Sequence, residues 1–177
     1  MALFGPHLPE QVRSRLERGE RVLAQAPVAA PAGDSPAPGG AVLVATTRAL
    51  YLPEGRAVLW QDIDRARWSP DALTFVEEGV GEHTVRLRTE LTGDPVDYRR
   101  MAETVSERVT STILVNRFVP FPSTESTTGF RLVARRAPLG SEIDWRVHLG
   151  EDLDPEDPRL SEAVSRALAL LREQMGV

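Results

Sequence analysis

The sequence predicts an α+β protein: about seven short antiparallel strands forming a barrel or sandwich, capped by an amphipathic helix and extended by a hairpin and a closing helix. Three observations predict it. Residues 41–66 break into short apolar runs around Leu43, Leu50 and Leu59, separated by Thr46-Thr47-Arg48 and Pro53-Glu54-Gly55, which is how consecutive antiparallel strands and their turns read. Beyond Pro95 the apolar residues change to helical spacing, with Tyr98, Met101, Ala102, Val105, Val109, Thr112 and Ile113 on one face. After Asp157-Pro158 a second helical pattern runs through Leu160, Ala163, Val164, Ala167, Leu168, Leu171 and Met175 to Gly176.

In chain order, residues 8–19 suit a short opening helix, with Pro9 in its first turn, Leu8, Val12 and Leu16 on one face and Gly19 at its end. Residues 20–28 form the first strand. Residues 29–40, rich in Pro, Ala and Gly, carry no periodic pattern and read as a loop. After the central stretch, Arg65-Ala66-Arg67-Trp68, Leu73-Thr74-Phe75-Val76 and Thr84-Val85-Arg86-Leu87-Arg88 alternate as strands do, with turn formers between them. The capping helix is expected over residues 95–115, with Asp94 as its N-cap, and Phe118-Val119-Pro120-Phe121-Pro122 as a connector. Residues 129–137 and 143–149 make the hairpin. A two-residue loop at Leu139-Gly140 sets Ala134 opposite Trp145, Leu132 opposite Val147 and Arg135 opposite Asp144. The acid-rich run 151–157 is the approach to the last helix, where carboxylates complement the macrodipole and Asp157 caps.

Composition narrows the functional classes. The 177 residues are 41% hydrophobic and 27% charged, with a formal net charge of -5 and no cysteine, so neither disulfides nor thiolate metal sites are available. All basic side chains are arginine. The acidic balance disfavours nucleic acid and anionic membranes. The opening MALFGPHLPEQ has no basic n-region or apolar core, so no secretory signal is expected and the cytoplasm is the default compartment. No phosphate-binding loop, dinucleotide fingerprint, nucleophile elbow or zinc-binding helix motif occurs, and His7, His83 and His148 are too scattered for a motif. No catalytic residue, metal or cofactor is assigned. Trp60 and Trp145 read as core anchors, Trp68 less so. One surface invites a ligand. Arg131, Val133 and Arg135 should face outward beside Asp144, Arg146 and His148, and a row containing Arg131, Arg135, Arg146 and His148 could receive an acidic peptide or an anionic small molecule.

Particular residues carry a family resemblance. Gly19-Glu20-Arg21-Val22-Leu23, then Thr46-Thr47-Arg48-Ala49-Leu50-Tyr51, then Leu59-Trp60-Gln61-Asp62-Ile63 resemble the opening strand, second hairpin and later strand of bacterial pleckstrin-homology-like (PH-like) domains. The likeness covers residues 20–115 and extends to a group of actinobacterial proteins with no assigned activity. It implies a PH-like antiparallel β-barrel over residues 1–117, with residues 118–177 as a hairpin-plus-helix extension packed on it. One departure matters. The loop that presents basic residues to lipid phosphates in such domains is here residues 29–40, with no basic residue and one acid, Asp34. No phosphoinositide-like headgroup is therefore expected there. Arg21, Arg48 and Arg56 are the cations that could still converge on the barrel mouth. The function expected is a non-catalytic binding or scaffolding module that contacts another protein or a second copy of itself. The alternative is a small-molecule-binding protein or enzyme with a pocket at the barrel mouth. An exposed apolar or Arg-rich patch would favour the first, and a deep pocket with convergent polar groups the second.

Overall fold

The computed structural model describes residues 8–30, 40–88, 90–91 and 94–177. Among these residues it is α+β, with antiparallel sheets and three α-helices. The contacts divide it into two compact units, residues 1–112 with 137–140, and residues 113–136 with 141–177.

In the first unit, β1 (Val22–Val28), β2 (Ala41–Thr46), β3 (Ala49–Tyr51) and β4 (Ala57–Leu59) form a sheet in that order. A 3-10 turn, Trp60–Asp62, leads into a second sheet of β5 (Ile63–Trp68), β6 (Ala72–Glu77) and β7 (Gly81–Arg86). The two sheets meet at a bridge between Val28 and Leu87, beside which the Ala29 amide donates to the Arg86 carbonyl at 2.9 Å. Among the described residues these seven strands thus form two sheets and not a closed barrel.

Alternation along these strands sends one set of side chains inward. Ala24, Ala26, Leu43, Leu50, Val58, Leu73, Phe75 and Val85 make the core between the sheets. Helix α2 (Arg99–Ser111) adds Met101, Val105 and Val109 to it and packs on β1 and β5. Strands β2 and β3 are unusual in being buried on both faces. Val42, Val44, Ala49 and Tyr51 point away from that core and meet Val12, with Leu8 and Leu16 packed alongside. The near-continuous apolar runs of β2 and β3 therefore fit two-sided burial.

Several boundaries differ from the expected ones. The opening helix, α1, is only Glu10–Arg13, with Pro9 at its N-cap. Asp94–Pro95 does not start a helix; it forms β9 and pairs with β8 (Glu90–Leu91). Helix α2 begins four residues after Pro95, where Asp97 accepts from the Arg99 amide at 2.9 Å. It also stops before Thr112, because the β-branched run that follows favours extended backbone. Ile113–Pro120 is instead strand β10. The helical period carries on to Ile113 by coincidence of spacing, so a strand stands where the pattern predicts the end of the helix and a connector.

The second unit is a meander of β10, β11 (Gly129–Arg135) and β12 (Asp144–Leu149), with α3 (Pro158–Met175) against one face. Phe130, Leu132, Leu160 and Leu171 are its buried centre, flanked by Val119, Trp145 and Leu168. The β11–β12 register is the expected one: Ala134 faces Trp145, Leu132 faces Val147 and Arg135 faces Asp144. The tight loop is not. The ladder ends at Arg135 and Asp144, leaving residues 136–143 as a longer connection with one turn closed by the Gly140 amide to the Ala137 carbonyl. Helix α3 starts and stops as read, with Asp157 accepting from the Arg159 amide at 2.9 Å and Gly176 left-handed at φ 73°.

Trp60 is fully buried in the first core, and its indole N–H donates to the Thr46 carbonyl at 2.9 Å. It therefore fills volume and ties the 3-10 turn to β2. Replacing it, Trp60→Ala, should cost about 3–5 kcal/mol through the cavity and the orphaned carbonyl. A urea-melt midpoint unchanged from wild type would show the site to be dispensable.

Candidate functional site

Alternation places Arg131, Arg135, Arg146 and His148 on one face of the β11–β12 pair, with Arg131 opposite His148. That face is not an open cationic row. Arg135 is only 2% exposed and Val133 is buried too. The Arg146 side chain is 9% exposed, and its Nε donates to Asp144 at 2.7 Å. Arg131 is exposed and donates to Asn116 Oδ1 at 2.9 Å, while His148 is half-buried. Period-two reasoning finds the face but cannot see which of its charges are covered or already engaged.

A second cluster lies where the resemblance motifs meet. Glu20, its side chain 2% exposed, accepts from the Thr46 hydroxyl at 2.5 Å, the Arg48 Nε at 3.2 Å and the Glu17 amide at 2.9 Å. The Tyr51 hydroxyl lies 3.2 Å from the same carboxylate and accepts from Arg48 Nη2 at 3.2 Å. Arg48 also pairs with Glu17 at 3.4 Å. Thr46 in turn accepts from the Ala49 amide at 3.0 Å, closing the β2–β3 turn. Burial works against the Glu20 charge, but the Thr46, Glu17 and Arg48 hydrogen bonds and the Arg48 charge outweigh it and hold the pKa below the ordinary value of 4.5. Burial also pushes the Tyr51 phenol up. These groups satisfy one another, so the cluster is a fastening.

A third cluster sits at the end of β6 and β7. Arg56 Nη1 is 2.9 Å from both carboxylate oxygens of Glu77, and His83 Nε2 is 2.7 Å from one of them. His83 stacks on Phe75 with ring centroids 4.9 Å apart. Since Glu77 only accepts, the proton on Nε2 is assigned to this contact. His83 lines an open cleft of about 390 Å³ together with Ala29, Leu52, Glu54, Thr84 and Arg86. The arrangement could orient a small polar ligand.

The fourth place is the outer face of the β5–β6–β7 sheet. Inward alternation of Leu73, Phe75 and Val85 sends Arg65, Arg67, Thr74, Val76, Glu82, Thr84 and Arg86 outward. Arg65, Arg67 and Arg86 are exposed. Arg65 and Arg67 make no hydrogen bond or ion pair among the described residues, while Arg86 acts on Asp71 only through its charge. The alternation is plain in the sequence Arg65-Ala66-Arg67-Trp68. That these two arginines pair with no carboxylate among the described residues is not, and only the fold reveals it.

No protein-family model, curated protein or solved structure matches the chain.

The Glu20 cluster has a pH signature. Because the folded pKa is lowered, its contribution is fully present above the unfolded value of 4.5 and is lost as the pH falls through the folded value. Glu20→Gln should flatten stability against pH in that acid range, and Glu20→Ala should cost about 3 kcal/mol at neutral pH by stranding Thr46 and Arg48. Chemical melts across acid pH check both, and parallel curves for Glu20→Gln and wild type would refute the assignment.

Proposed function

We propose that the chain is a non-catalytic binding module, its first unit PH-like, whose partner is another protein. Three features support the PH-like reading. Four strands, then three, then the short β8–β9 pair and one helix follow in order; β1 meets the residue after β7 at the Val28–Leu87 bridge; and α2 packs on β1 and β5. The first two motifs that carry the resemblance are physically joined through Glu20, Thr46, Arg48 and Tyr51, and the third through the Trp60 indole on the Thr46 carbonyl.

One observation carries the binding reading. The buried polar clusters are satisfied internally, whereas Arg65 and Arg67 stand on an exposed sheet face with no partner among the described residues. Guanidinium groups left so are available to carboxylates from outside. Lipid headgroups are not part of this proposal. Arg48 is held by Glu17 and Glu20, and Arg56 by Glu77, so neither is free to join Arg21 at a headgroup site. Residues 31–39, most of the loop on which that expectation turned, lie outside the described residues.

A second reading rests on the cleft beside His83, which would hold a small ligand in place of a protein. Photo-crosslinking separates the two. With benzoylphenylalanine at position 67 or at position 54, irradiation in the source cells should give polypeptide adducts from position 67. Adducts of small mass from position 54, with none from position 67, would overturn the protein-binding reading in favour of the cleft.

A further inference from the structure

We propose that the outer face of the β5–β6–β7 sheet receives an extended acidic segment of a partner protein, with carboxylates on alternate residues. This rests on the binding-module reading and names the chemistry of its partner.

The face has a floor and two walls. Cross-strand pairing sets Arg65 beside Val76 and Val76 beside Glu82, then Arg67 beside Thr74 and Thr74 beside Thr84, then Ala72 beside Arg86. Val76, Thr74 and Ala72 of the central strand thus form a floor of small side chains, and a shallow groove of about 370 Å³ lies over Thr74 and Val76 between Arg65, Arg67 and Glu82. Because β6 is paired on both sides, it has no free backbone edge to lend. A ligand must be read through side chains.

The guanidinium spacing then selects the ligand. Arg65 and Arg67 are two residues apart on one strand face, so they repeat at roughly 6.4–6.8 Å. An extended peptide repeats its own alternate side chains at the same interval, so carboxylates at every second position meet both arginines at once. Arg86, at the far end of the opposite wall, supplies a third cation within reach of the Asp71 charge, and Glu82 places an acid on the same face. Bidentate guanidinium–carboxylate pairing rewards this match in a way that a diffuse charge would not.

Two other anionic partners fit less well. Single-stranded nucleic acid has a similar phosphate interval, but its binding sites add aromatic stacking platforms, and Phe75 and Trp68 pack toward the core. A membrane surface calls for a cluster of roughly 4–8 cations, against a formal net charge of -5 for this chain. At physiological ionic strength the Debye length is about 8 Å, so the local arginines govern a contacting peptide while the distant acids are screened.

The test uses the purified full chain and a fluorescein-labelled peptide of alternating Glu and Thr, followed by anisotropy. Controls are the same composition with the glutamates in one block, alternating Lys and Thr, single-stranded DNA, and phosphatidylserine vesicles. The alternating acidic peptide should bind saturably and more tightly than the blocked one. The double variant Arg65→Glu/Arg67→Glu should weaken it about tenfold or more, Arg65→Gln/Arg67→Gln should fall between, and Arg166→Glu, on the exposed side of α3, should leave it unchanged, with circular dichroism unaltered throughout. No saturable binding of the alternating peptide, equal affinity for the blocked one, or insensitivity to the double variant overturns the proposal. Binding of DNA or vesicles in place of the peptide does the same. So does self-association that the double variant abolishes while the peptide fails to bind. Polypeptide adducts from position 67 alongside a failed peptide titration would overturn this inference and leave the binding-module reading standing.

Discussion

The first unit depends on one buried carboxylate. Glu20 stands just before β1, and its hydrogen-bond donors come from the β2–β3 turn, from Arg48 and from its own approach at Glu17. A charge this deep is tolerated only when its oxygens are fully occupied, so the carboxylate fixes the relative placement of whatever donates to it. That placement sets β1 against β2 with the apolar residues of both facing α2. The register of the four-stranded sheet and the seat of the helix follow from it. Tyr51 then extends the same network to the segment covering the sheet's other face, since its hydroxyl also lies 3.2 Å from the Arg15 carbonyl.

The arginines divide along the same line. Arg48 and Arg56 are consumed by internal carboxylates, Arg100 donates to the Leu23 carbonyl, and Arg15 donates to the Gly55 carbonyl. Gly55 is left-handed at φ 84°, in a turn where an added Cβ would come within 3.0 Å of Gln11. The turn and the covering segment are therefore matched in shape as well as joined by Arg15. In a protein whose every basic residue is arginine, those without such a role are the informative ones, and position in the sheet decides which they are.

Much of this was legible in the sequence and some was not, for identifiable reasons. Alternation marked β5–β7 as strands and, in the β11–β12 pair, set faces and register as well, because a one-residue slip would expose Leu132 and Ala134. Asp157-Pro158 and Gly176 marked the last helix at both ends, because cap chemistry is local. Where two periods fit the same residues, reading failed: Val109, Thr112 and Ile113 satisfy a helix, yet Ile113 belongs to β10. Asp94-Pro95 carried the same cap signal as Asp157-Pro158 and was overruled by pairing with Glu90–Leu91. For the candidate sites, the sequence could place Arg131, Arg135, Arg146 and His148 on one face. It could not tell that Arg135 is covered, or that Arg56 converges on Glu77 and His83 from another hairpin. Those are long-range facts, and no spacing rule encodes them.

The two-sided burial of β2 and β3 has a kinetic consequence. Amide protons exchange with solvent only when a segment opens, and opening is easiest where few apolar side chains must be exposed. To free Leu43, Val44, Ala45 or Leu50, the molecule must lift either the core beneath α2 or the covering segment around Val12, and full release needs both. Strands β5 and β7, with solvent on their outer faces, need lift only one. The molecule therefore has a graded interior, in which the hairpin of β2 and β3 keeps its protons longest while the arginine-bearing sheet can breathe and adjust without disturbing it.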